Sequence, residues 1–124
     1  MSRHNFKKLK IWQEGIELVK ESYGITRNFP DFERFNLASQ MNRSAVSIPS
    51  NIVEGSSKST NRHFKIFLEN SLGSAFEWET QLIVAHSQSY LNDGLFKELE
   101  TKVLQIQKMI GSFIDNLSDK KSSI

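Results

Sequence analysis

Three side chains in this sequence have types and spacings suited to chemistry: Glu54, Glu79 and His86. A carboxylate and an imidazole on neighbouring helices can act as an acid–base pair or hold a metal ion. Glu79 and His86 stand one heptad apart, close to the apolar side of one helix. Against a catalytic reading, the chain has only three histidines and lacks an HExxH pair, a glycine-rich phosphate cradle and a serine in a nucleophile elbow. Buried polar groups need hydrogen-bond partners whatever a protein does. The structural reading is therefore that Ser47, Asn51, Glu54 and Glu79 satisfy one another and the carbonyls released by Pro49. On that reading no catalytic residue, metal or cofactor is assigned.

The element that must position these groups is the stretch Ser39 to Gly55, read as a helix with Pro49 in its interior. Leu37, Met41, Ala45, Ile48 and Ile52 line up as an apolar face at helical spacing. Beside them Gln40, Ser44, Ser47, Asn51 and Glu54 form a narrow polar seam. Pro49 removes a backbone donor and crowds the Ala45 carbonyl, at a cost of roughly 3 kcal/mol in a helix interior, so a kink is expected there. Gly55 is expected as the left-handed terminator of this helix. Gly73 and Ser74 sit in the middle of the next helix, where small residues suggest the close approach of another backbone, such as the bend at Pro49.

Hydrophobic periodicity predicts four helices, at about 6–26, 33–54, 61–89 and 93–117, with a disordered tail over 118–124. Pro30 breaks the chain after the first helix, and Asp31 can cap the second. Phe29, Phe32 and Phe35 are expected to plug the bundle end. Ser59 or Thr60 can cap the third helix, and Asn92 or Asp93 the fourth. Short connections between helices give an all-α fold, an antiparallel up-down-up-down four-helix bundle in a single domain, 1–124. The first helix carries two apolar rows. Leu9, Trp12, Ile16, Val19 and Tyr23 read as the core face. Ile11, Leu18 and Ile25, seven apart, read as a contact with another subunit.

Composition is that of a globular chain: 38% hydrophobic and 24% charged, with no cysteine and hence no disulfide or thiolate site. No long apolar run follows the basic amino terminus, so neither a signal peptide nor a membrane span is expected, and a cytoplasmic location is. The net charge of +2 divides unevenly, +5 over residues 1–65 and −3 over 66–124. Candidate phosphate contacts are Arg3, Lys7, Lys8 and Lys10, then Arg43, then Lys58, Arg62 and Lys65. The same charge split also suits subunit matching or plain solvated helix faces. A protein–protein scaffold with no nucleic-acid role thus stays open beside nucleic-acid binding.

The run LASQMNRSAVSIPSNIVEGSSK, Leu37 to Lys58, followed by FKIFLENSLGSAFEWETQL, Phe64 to Leu82, resembles a bacterial family. These are the four-helix-bundle proteins of the 23S rRNA-intervening sequence type. The likeness spans about residues 6 to 117. The second-helix signature falls on Ser47, Ile48, Pro49, Ser50, Asn51, Ile52, Glu54 and Gly55, with Val53 where alanine is usual. The third-helix signature falls on Gly73, Ser74, Glu77 and Glu79, with Trp78 where leucine is frequent. A usual arginine pair is reduced to Asn42-Arg43. The resemblance implies a homopentameric ring with no established enzymatic activity and no small-molecule substrate. The chain is also similar to the accessory protein of diversity-generating retroelements, which implies partnership with RNA or DNA or with a nucleic-acid enzyme.

Overall fold

The computed structural model describes residues 5–122, with side chains to residue 117. All of its regular structure is helical. A single 3-10 turn, Phe6–Lys8, is capped by the Asn5 side chain and followed by Leu9 in extended conformation, so the first helix does not begin at Phe6. α1 spans Lys10–Thr26, α2 Leu37–Ser56, α3 Asn61–Ser87 and α4 Asp93–Ser122. α2 starts later than the periodicity suggests because the chain after Pro30 first makes a 3-10 turn, Asp31–Glu33, and Asn36 then leaves helical geometry. Glu33, not Asp31, receives the Leu37 N–H at 3.4 Å. Thr60 caps α3 through the His63 N–H at 3.2 Å, and Asn92 caps α4 through the Leu95 N–H at 2.8 Å. The backbone of α4 runs on past residue 117 to Ser122, since Ser118 to Lys121 contain no glycine or proline to stop it.

Consecutive helices run antiparallel. Ser44 of α2 meets Gln81 of α3, while further along α2 Ile48 meets Ser71. Ser22 of α1 meets Asn42, and Gln107 of α4 reaches Glu79. The starts of α1 and α3 and the end of α2 therefore share one end of a four-helix bundle. The core between them holds Met41, Ala45, Ile48 and Ile52 from α2, Phe64, Leu68, Trp78 and Leu82 from α3, and Leu99, Val103, Ile106 and Ile110 from α4.

The contribution of α1 reverses the expected assignment of its two rows. Ile11, Leu18 and Ile25 are core residues, Leu18 with 1% of its surface exposed, so they cannot form an interface with another subunit. Leu9, Trp12, Ile16 and Val19 are half-buried and Tyr23 is exposed. The reason lies in the residues between. Gly15 and Ser22 share the face of Ile11 and Leu18 and look like gaps in an apolar stripe. A methyl group on Gly15 would lie in van der Waals contact, 3.4 Å, with Ile48 Cγ2 and Pro49 Cβ, so this face of α1 sits directly against α2 at its proline. Ser22 accepts the Trp78 indole N–H at 3.0 Å. The face that looks weaker in apolar content is the one that fits its neighbours.

Two other glycines change roles. Gly55 has no positive φ, and α2 continues through it to Ser56. A methyl group there would stand 2.7 Å from Phe64 Cδ1 and 2.9 Å from Phe67 Cβ, so Gly55 serves the close approach of α3. Gly73, expected to admit a neighbouring backbone, is exposed with nothing within 4 Å of a would-be Cβ.

Candidate functional site

The polar seam becomes a set of small networks between helices. Asn51 donates from Nδ2 to the Ser47 hydroxyl and carbonyl at 2.9 and 2.8 Å, and Ser74 of α3 donates to the same hydroxyl at 2.9 Å. Ser44 donates to Gln81 Oε1 at 2.6 Å, and Ser71 to the Ile48 carbonyl, next to Pro49, at 2.8 Å. Ser22, Thr26 and Asn42 join α1 to α2, with Trp78 donating into that group. Among the described residues no buried side-chain polar atom lacks a partner. A hydroxyl or amide left alone in such an interior would cost about 1–3 kcal/mol.

The acid–base trio is not brought together. Glu79 accepts the Gln107 amide at 2.8 Å, facing α4. Glu54 is exposed, at the level where Gly55 abuts Phe64 and Phe67. His86 lies about 30 Å further along α3, at 1.5 Å per residue. There its Nε2 pairs with Asp93 Oδ1 at 2.7 Å, and its ring stacks on Phe96 at 4.1 Å between centroids. Gln40 and Glu77, the remaining polar members of the family motif, are exposed. Among the described residues no three histidine, aspartate or glutamate side chains gather as a metal site, and no helix is long and apolar enough to cross a membrane.

The expected phosphate contacts separate into two places. Lys7, Lys8 and Lys10 precede or open α1, and Lys58, Arg62 and Lys65 surround the start of α3, so all six lie at the same end of the bundle. The Lys58 ammonium rests 5.0 Å above the Phe67 ring. Arg43 lies away from them, beside Tyr23, Ser39, Asn42 and Val46. Arg3 falls outside the described residues.

The opposite end holds residues that sequence reasoning missed. Phe29 is buried and packs on Tyr90 at 5.1 Å, as a plug should. Phe32 and Phe35, expected beside it, are instead 72% and 83% exposed. The 3-10 turn after Pro30 and the break at Asn36 turn their side chains outward. The Arg34 guanidinium sits 5.3 Å over the Phe35 ring. A cavity of about 380 Å3 next to them is lined by Tyr23, Thr26, Arg27, Phe29, Arg34 and Asn42, among others. The available signal was three phenylalanines at intervals of three in a segment with a proline: a chain leaving helical geometry cannot aim all of them into one core.

A third surface lies along α1 and α2, where Trp12, Ile16, Val19, Val46, Pro49 and Val53 line a shallow depression of about 350 Å3.

Comparison with known proteins places this architecture. No curated protein matches the chain. Among solved structures it is similar to a protein of unknown function from the S23 ribosomal protein family of Bacteroides thetaiotaomicron, with a TM-score of 0.78 and 21% identity over 85% of this chain and 95% of that one. At that identity the likeness shows the fold. The family of 23S rRNA-intervening sequence proteins matches residues 7–112, the whole bundle from the first turn to the last third of α4. The chain belongs to the 23S rRNA-intervening sequence protein family.

Proposed function

We propose that this chain is a non-catalytic building block that assembles with copies of itself into a ring, pentameric as the resemblance implies, and that the ring works with nucleic acid or a nucleic-acid-processing partner. The observation that carries the assembly is the apolar depression of Trp12, Ile16, Val19, Val46, Pro49 and Val53, in which Ile16, Val46 and Val53 lie outside the core of one chain. A second apolar row, Phe76 and Ile83 at an interval of seven, is half-exposed on the outer side of α3. Two unlike apolar faces on one molecule favour a head-to-tail contact, which closes into rings, over a two-fold dimer built from a single self-complementary patch. The nucleic-acid arm is supported by the lysines and Arg62 gathered at one end, a patch that a ring would repeat and so strengthen by avidity.

Light scattering after size exclusion tests the assembly. Ile16→Glu with Val46→Glu should lower the mass to one protomer while the helical circular dichroism persists. A wild-type mass of one protomer at micromolar concentration refutes the ring. Reversal of Lys7, Lys8 and Lys10 to glutamate should weaken binding to structured RNA or to DNA; no salt-sensitive binding of the intact protein to either removes that arm.

A further inference from the structure

The geometry points to the α1–α2 corner, Tyr23 through Arg43, as a surface for unpaired nucleic-acid bases, with Phe32 and Phe35 as stacking platforms and Arg27, Arg34 and Arg43 as phosphate contacts. This rests on the nucleic-acid arm of the proposed function and adds the form of strand and the place it binds. With 72% and 83% of their surface in water, these two phenylalanines are the most exposed of the large hydrophobic side chains described, and neither helps close the bundle. They line neither of the hollows at this corner, so their rings stand free of a groove that a partner helix would fill. A flat, solvent-exposed ring suits a base, because every base has a face to stack and stacking tolerates any sequence, and Arg34 over one face of Phe35 leaves the other open to a base. A duplex keeps its bases inside its own stack, where such rings cannot reach them.

The charges around the rings favour a polyanion. Arg34 lies against Phe35, Arg27 lines the adjoining cavity with it, and Arg43 lines the neighbouring hollow that shares Tyr23, Ser39 and Asn42. Asp31 is the acidic group lining the same cavity. The nearby Glu33 carboxylate is taken up by the Tyr90 hydroxyl at 2.8 Å and the Leu37 N–H. Guanidinium planes bind phosphate through paired N–H groups and also lie flat on bases, so arginine serves both parts of a strand. The cavity adds the Thr26 hydroxyl and the Asn42 amide beside the guanidinium groups.

The test compares fluorescent oligo-dT and oligo-U of about 15 nucleotides, long enough for one strand-binding surface, with a duplex of equal length. Titrations at about 50 and about 200 mM salt give affinity and salt slope. Phe32→Ala with Phe35→Ala should weaken single-strand binding by about tenfold or more and leave duplex binding within about twofold. Arg27→Gln, Arg34→Gln and Arg43→Gln together should reduce the single-strand salt slope by about two units, three contacts at ~0.7 each. Equal loss for strand and duplex, or no loss for either, overturns the assignment. So does a change in solution mass with strand binding intact, which makes the rings a protein contact. If intact protein binds nucleic acid but only reversal of Lys58, Arg62 and Lys65 abolishes it, this inference fails while the proposed function stands. If intact protein binds neither strand nor duplex, both fail.

Discussion

Replacing Gly55 by alanine isolates the contact that sets the spacing of α2 and α3. An alanine Cβ would stand 2.7 Å from Phe64 Cδ1, 2.9 Å from Phe67 Cβ and 3.1 Å from the Phe64 carbonyl oxygen. The first of these could swing away, but Phe64 is buried against Phe113 and has little room. The other two belong to the α3 backbone or the atom next to it, so relief requires the helices to part. Parting them strains the Ser71–Ile48 and Ser74–Ser47 hydrogen bonds, one to two turns further along the same seam. Overpacking of this kind costs roughly 1–3 kcal/mol, at the upper end when backbone must move. Better helix propensity offsets about 1 kcal/mol. The net expectation is a loss of about 2 kcal/mol, which for a domain of this length lowers the melting temperature by roughly 8 °C. Thermal melts followed by circular dichroism, with urea titrations as a check, measure it. Gly73→Ala is the control: the site is open, so propensity alone should stabilise by about 1 kcal/mol. A Gly55→Ala protein that melts at or above wild type would refute the close-approach argument.

Other single residues carry expectations of their own. Leu18→Glu should cost on the order of 4–5 kcal/mol of a total of about 5–15, a large drop in urea stability, because it places a carboxylate in the core; a variant of wild-type stability but reduced mass in light scattering would return Leu18 to an interface. Ser89 is the residue after the α3 C-cap and has φ of 64°, so Ser89→Gly should stabilise by about 0.5–1 kcal/mol in urea titrations, and destabilisation would contradict the strain. Lys102 is held above the ordinary lysine value first by its hydrogen bond to Glu21, with partial burial opposing and Glu98 and Glu17 adding. Its raised folded pKa means a stabilising contribution present below about pH 10.5 and lost as the pH rises through the folded value. Lys102→Met should therefore flatten stability against pH above that point, and an unchanged profile would show that the ion pair contributes nothing.

What could be read from sequence was set by how much each signal depended on partners. α4 was legible because Leu99, Val103, Ile106 and Ile110 form one stripe and only Leu104 breaks the polar side. Thr60 and Asn92 were legible as caps because capping is local. The rows of α1 were not. Trp12, Ile16 and Val19 outweigh Ile11 and Leu18 in bulk, and only the positions of Pro49 and Trp78 reveal why Gly15 and Ser22 mark the inner face. In the seam, Ser47 and Asn51 follow from spacing on their own helix, and Ser74 from its small size in mid-helix and from the family signature. Gln81, Gln107 and Ser22 were missed because their roles depend on what stands opposite them.

The reversal on α1 strengthens the case that the outer surface has a use. If the heavier row had been the core, the exposed remainder would have been three residues seven apart, a thin line that solvent tolerates. With the lighter row inside, the remainder is the broader face of Trp12, Ile16 and Val19, continued across the seam by Val46, Pro49 and Val53. The core gains fit from Gly15 and Ser22 at the expense of apolar area, so bulk was available inside and was placed outside. Core packing accounts for the inner edges of Trp12 and Val19, which lie against the core, but not for Ile16, Val46 and Val53 beside them. At the α1–α2 corner Phe29, packed on Tyr90, helps close the bundle end, while Phe32 and Phe35 stand clear of it. Each surplus is apolar, but their neighbours differ: the long face is bordered by the small side chain of Ser50, the corner by Arg27, Arg34 and Arg43. Surfaces of such different character match the two halves of the proposal, another copy of the chain for the first and a charged, stackable strand for the second.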